Sequence, residues 1–176
     1  GTSVQPREST WKAWTDEAPA SYHMSTRLAE GTPGILVDPG SVGNLGGDAW
    51  VLETSTEAAK FGRKPQQIQR DRALKVSGVG NGSQAARFNC VVPTALQQTS
   101  GNFVCGSFEL PAVDNSDLPA LLGLNSLKCH RAILDMNTMK LHFCGPGDYD
   151  LEKTLPPGTE SYELKGAPSG HLILPC

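Results

Sequence analysis

Apolar positions in this chain come in short runs broken by Gly, Pro, Asn and Asp, a rhythm of strands and turns rather than of long helices. Ser21 to Leu28 alternates in the manner of a strand, and Glu30-Gly31-Thr32-Pro33-Gly34 carries turn chemistry. Ile35-Leu36-Val37 is a continuous run of β-formers and predicts a buried strand, which stops abruptly at Asp38-Pro39-Gly40-Ser41. Asp48 to Phe61 is the best helix candidate. Asp48 stands where a cap belongs, Ala58 and Ala59 favour helix, and Gly62 occupies the position after the end. Val51, Leu52, Ala58 and Phe61 share one broad face of that helix, which predicts core packing.

Arg63 to Arg72 is polar and basic and reads as a loop. A second β region begins at Ala73: Leu74-Lys75-Val76 leads through Gly78-Val79-Gly80-Asn81-Gly82-Ser83 to Phe88-Asn89-Cys90-Val91-Val92. Asn-Gly between two strand-like runs is a strong hairpin signal. Phe103-Val104-Cys105 and Phe108-Glu109-Leu110 predict a further strand pair before Pro111. After a loop at Asp114 to Asp117 comes the apolar stretch Leu118 to Leu124. Asn125 or Ser126 is placed to cap a short helix through Arg131. Ala132-Ile133-Leu134 and Leu141-His142-Phe143 flank the turn Asp135 to Thr138 as another hairpin. No repeat of fixed period is present. The organisation expected is an arm or linker over 1–18, one domain over 19–144, and a Gly- and Pro-rich extension outside the core over 145–176.

Composition sharpens this picture. Of 176 residues, 19 are Gly and 13 are Pro, together roughly 18% against a usual share of about 12%. That suits one turn-rich, mainly β domain, with one or two short helices. A net charge of −3 gives no general electrostatic reason to hold nucleic acid, so no nucleic-acid partner is expected. No apolar run reaches membrane length, and the start has no apolar leader core, so no membrane partner is expected either. The five cysteines, Cys90, Cys105, Cys129, Cys144 and Cys176, form no C-x-x-C pair and are odd in number. Reduced thiols in an intracellular protein fit that usage better than a disulfide framework or a zinc site.

Chemistry gathers at Asp38. A carboxylate just beyond a buried strand is desolvated unless it has a partner or a task. The Gly40 amide is placed to donate to it, and Ser41 offers a hydroxyl to its outer oxygen. An Asp that merely opens a turn has the same D-x-G-S pattern, so the motif alone is weak. The order of elements is more specific. An apolar strand, D-P-G-S, a helix, a glycine-rich hairpin, and then Leu121-Leu122-Gly123 resemble the retropepsin-like aspartic proteases. In that family an aspartate sits in a D-T/S-G-A/S loop, a glycine-rich flap follows, and a hydrophobic-hydrophobic-Gly element supports the active-site loop. The stretch from Leu118 to Phe143 is similar to protease domains of retroelement polyproteins, and Ala167-Pro168-Ser169-Gly170-His171 looks like sequence that follows them.

The resemblance covers about residues 20–144 and implies a retropepsin-like acid-protease fold, closed and barrel-like, in an obligate homodimer. Asp38 is then the catalytic residue, facing its twin across the dimer axis, because the chain has one D-x-G motif and the chemistry needs two carboxylates on one water. Gly40, Ser41 and Gly123 support the loop. Gly78, Val79, Gly80, Asn81 and Gly82 form the substrate-binding flap, and a glycan on the Asn81-Gly82-Ser83 sequon would obstruct its tip. The implied partners are a second copy and an extended peptide, such as the element's own polyprotein. The implied location is the cytoplasm or a retroelement particle. No cofactor and no metal are required.

Pro39 departs from the family pattern. Thr or Ser usually stands there, and its hydroxyl bonds to the partner's loop, whereas proline has neither hydroxyl nor N–H. The alternative is therefore a catalytically silent module of the same fold, used for dimerisation or peptide binding. Other chemistry has less support. His23, His130, His142 and His171 are scattered, and Ser41 lacks the G-x-S-x-G context of a hydrolase nucleophile. Cys90 and Cys105 sit in strand-like runs as small core residues. Gly78-x-Gly80 precedes a strand, not the helix of a dinucleotide fingerprint.

Overall fold

The structure, a computed structural model, describes residues 27–28, 30–77 and 84–176. The strand expected over Ser21–Leu28 falls almost wholly outside the described residues, and so do Gly78, Val79, Gly80, Asn81 and Gly82 of the expected flap. The fold is mainly β. Its centre is a four-stranded sheet in the order β2-β5-β4-β3, with β2 at Gly46–Gly47, β3 at Gln66–Val76, β4 at Gln84–Gln97 and β5 at Phe103–Val113. β1 (Ile35–Val37) pairs in parallel with β6 (Ala120–Leu122), and β7 (Ala132–Asp135) pairs antiparallel with β8 (Lys140–Phe143). A small hairpin of β9 (Lys165–Gly166) and β10 (Leu172–Ile173) lies in the C-terminal region. Two helices are present among the described residues, α1 (Asp48–Ala59) and α2 (Leu124–Cys129), with a 3-10 turn at Leu151–Thr154.

The sheet does not close into a barrel, contrary to expectation. It ends at β3, where every residue from Gln66 to Lys75 except Arg70 is exposed. The basic stretch expected to be a loop is thus most of an edge strand. Its glutamines and charges face solvent, which suits an edge that must not recruit another strand. The two short strands expected over Phe103–Leu110 are one continuous strand. It pairs with β4 from Gln97↔Phe103 to Ala86↔Val113. Pro93 is tolerated within β4 because β3 reaches only to Val91, so no ladder bond is lost on that side.

Trp50 anchors the core. It packs edge-on against Phe108 with ring centroids 5.9 Å apart, among Cys90, Val92, Leu110, Ala112 and Ala120. Its indole N–H donates to the Gly34 carbonyl at 3.0 Å, which holds the approach to β1 against the helix. The expected apolar face of α1 is only partly used: Leu52 is 70% and Phe61 82% exposed. Asp48 does not cap its own helix. Its carboxylate accepts from the amides of Asn115 and Ser116 at 2.8 and 3.0 Å and so fixes the turn before β6. The start of α2 likewise lies two or three residues earlier than expected, with Gly123 at the cap position. Among the described residues, no helix is long and apolar enough to cross a membrane.

Candidate active site

β1 delivers Asp38 to the surface in a tightly bonded loop. The strand is less buried than its composition predicts, since Leu36 remains 42% exposed. Its register with β6 pairs Val37 with Leu122, and the Asp38 amide donates to the Leu122 carbonyl at 3.0 Å. The backbone of Asp38 is therefore held by the sheet, leaving its side chain half-buried at the strand end. The Gly40 amide donates to Asp38 Oδ1 at 3.0 Å, as expected from the D-x-G spacing, and the Ser41 amide donates to the Asp38 carbonyl at 3.1 Å. Ser41 behaves otherwise. Its hydroxyl donates to the Gly43 carbonyl at 2.7 Å rather than to the carboxylate, so it braces the far side of the turn.

The chain then runs against the start of α2. The amides of Leu124 and Asn125 donate to the carbonyls of Ser41 and Val42 at 2.7 and 2.9 Å. Gly123 is buried between them, and a Cβ there would collide with the Gly43 carbonyl and stand 2.9 Å from the Ser41 oxygen. This close approach requires a residue without a side chain. Beyond the loop, Leu45 exchanges backbone bonds with Leu121, so β6 is flanked by β1 on one side and Leu45 on the other.

Two residues with no assigned part in the sequence reading belong to this region. Asn44 Oδ1 accepts from the Gly123 amide at 2.9 Å and from the Ser126 hydroxyl at 3.0 Å, while its Nδ2 donates to the Glu109 carbonyl at 2.9 Å. One amide side chain thereby ties the loop, the start of α2 and β5 together. His171, from the C-terminal region, places Nε2 3.1 Å from the Gly40 carbonyl. Neither had a local signal, because both contacts are made by residues distant in the chain.

A groove of about 680 Å³ lies elsewhere, between α1 and the outer end of the β4–β5 hairpin. Trp50, Phe61, Leu96 and Phe103 help to line it and Asp38 does not. Nothing places the chemistry of Asp38 in that groove. Cys90 is buried, as expected for a core residue, and burial pushes its thiol pKa up. Cys105 is instead exposed on β5. Among the described residues, no group of three or more His, Cys, Asp or Glu side chains is arranged to hold a metal ion. No family profile, curated protein or solved structure matches the chain.

Proposed function

We propose that this chain is one half of a retropepsin-like aspartic endopeptidase, completed when Asp38 of a second copy meets Asp38 of the first. The observation that carries the reading is the setting of that aspartate. It ends a strand paired in parallel with Leu121-Leu122, takes the Gly40 amide on one carboxylate oxygen, and sits in a loop packed on Gly123. A turn aspartate without a task would not need a loop fastened at so many points. The exposed tip at Pro39 and Gly40 leaves an approach for the second loop.

In the dimer, two carboxylates within contact share one proton, because both cannot be ionised cheaply. The ionised member accepts a proton from water as the water oxygen bonds to the peptide carbonyl carbon. The protonated member gives its proton to the carbonyl oxygen. Collapse of the resulting diol breaks the C–N bond, with a proton delivered to the departing nitrogen. An extended substrate lies across the two carboxylates, its backbone read by hydrogen bonds. A retroelement polyprotein is the substrate class, and processing takes place in the cytoplasm or in particles.

Pro39 favours a second reading, a silent module that dimerises or binds peptide without cutting it. Cleavage of a diverse peptide pool at pH ~4–7 by the natural protein and by Asp38→Asn separates the two, since the substitution keeps the shape but removes the ionisable group. Cleavage that vanishes in Asp38→Asn supports the endopeptidase. Equal cleavage by both removes Asp38 from the reaction. A dimer that cuts nothing supports the silent module.

A further inference from the structure

The Asp38 loop is also held from the C-terminal region, outside the part of the chain that resembles a protease. Gly40 makes two described contacts of different origin. Its amide bonds to Asp38 within the loop, and its carbonyl faces His171 Nε2 at 3.1 Å. That carbonyl belongs to the peptide unit whose N–H, on Ser41, donates to the Asp38 carbonyl. One peptide plane is therefore held at both ends, by Asp38 and by His171. Pro39, with no N–H and no hydroxyl, can supply no such bond at the tip.

The segment presenting His171 is built to hold it in place. The Ala167 amide donates to the His171 carbonyl at 2.8 Å and the Gly170 amide to the Ala167 carbonyl at 2.9 Å, closing a tight turn between β9 and β10. Gly170 has φ +91° and lies against Val42 of the loop, where an added Cβ would stand 3.0 Å from Val42 Cγ1. A side chain there would be strained by the backbone and crowded by the loop. Ser169 Oγ lies 2.8 Å from His171 Nδ1. A carbonyl can only accept, so Nε2 carries a proton, and Ser169 holds the ring in the orientation that presents it.

We propose that the Ala167–His171 turn is a brace on the Asp38 loop and that His171 is a positioning residue for the carboxylate. It acts through the Gly40–Ser41 peptide and does not touch substrate. The catalytic consequence rests on the endopeptidase reading, but the brace itself does not. Amide hydrogen exchange at Gly40 and Ser41 in the full chain tests it directly. In His171→Ala both amides should exchange about threefold to tenfold faster, the effect of one lost hydrogen bond, with β4 and β5 unchanged. His171→Gln, whose Nε2 can still donate, should recover most of the protection, and Ser169→Ala should lie between. Unchanged exchange in His171→Ala, or a Gln variant as loose as Ala, overturns the brace. In a cleaving protein, His171→Ala should lower kcat several-fold with KM nearly unchanged, and an unchanged kcat overturns the positioning role. If the natural protein cleaves nothing while the exchange pattern holds, the endopeptidase reading fails and the brace stands.

Discussion

The Asn44 side chain and the Gly123 backbone meet in one hydrogen bond of 2.9 Å, across 79 residues of sequence. The same Asn44 oxygen takes the Ser126 hydroxyl, and its nitrogen reaches Glu109. Asn44→Ala leaves several polar groups at this partly buried junction without partners, at a cost of about 1–3 kcal/mol. Asn44→Asp keeps the acceptor but turns a carboxylate oxygen toward the Glu109 carbonyl, so it should restore only part of the loss. Denaturant melts of both variants check this; equal stability of Asn44→Ala and the natural protein would remove Asn44 as the junction.

Pro39 carries a prediction tied to the proposed dimer. Pro39→Thr introduces the hydroxyl that the resembling family places at this position. Two symmetric bonds at about 0.5–1.5 kcal/mol each should tighten association on the order of tenfold. Part of that gain is offset, because proline stiffens the loop by about 0.4–1 kcal/mol per chain. Sedimentation equilibrium over a concentration series measures the shift, and a weaker dimer in Pro39→Thr would mean that stiffness dominates.

The cysteines should separate by reactivity. Cys105, Cys129 and Cys176 are exposed, Cys144 is half-buried and Cys90 is buried with its thiol pKa pushed up by desolvation. Since the thiolate is the reacting form, Cys90 should be modified more than about 100-fold more slowly than Cys105, and only through opening of the sheet. Timed alkylation read by peptide mass fingerprinting decides this. Rapid labelling of Cys90 would mean that the β4–β5 core opens readily.

Acid should weaken the β7–β8 hairpin through Asp135. The Thr138 hydroxyl and the Asn137 amide, bonded to its carboxylate at 2.6 and 2.9 Å, hold its pKa below the ordinary value. A carboxyl depressed on folding adds stability above its unfolded pKa of about 3.9 and loses it as pH falls through the lower folded value. The Tm advantage of the natural protein over Asp135→Asn should be full near neutrality and shrink below about pH 4. A difference independent of pH would show that the charge contributes nothing.

What the sequence revealed follows from how local each feature is. Ile35-Leu36-Val37 before D-P-G-S announces a strand and a loop because composition and turn chemistry agree within a few residues. The hairpin around Asp135–Thr138 is legible for the same reason. β3 is not, because an edge strand with solvent on its faces has no apolar alternation to read. β5 is misread as two strands because Gly106 and Ser107 look like a turn, while eleven pairings to β4 hold it straight. Asn44 and His171 are invisible for a different reason. A lone amide or imidazole acquires its part only from a carbonyl or amide brought to it by the fold.

The span from Gly40 to His171 is 131 residues, and it sets an order of events during synthesis. β1 and the Asp38 turn leave the ribosome first, the supports at Gly123 and Ser126 follow, and His171 comes last. At about 5–20 residues per second, His171 is made roughly 7–26 s after Gly40. Over that interval the nascent chain carries Asp38 without its final tether. Of these parts, the Asp38 loop is thus the first to be made and the last to be completed.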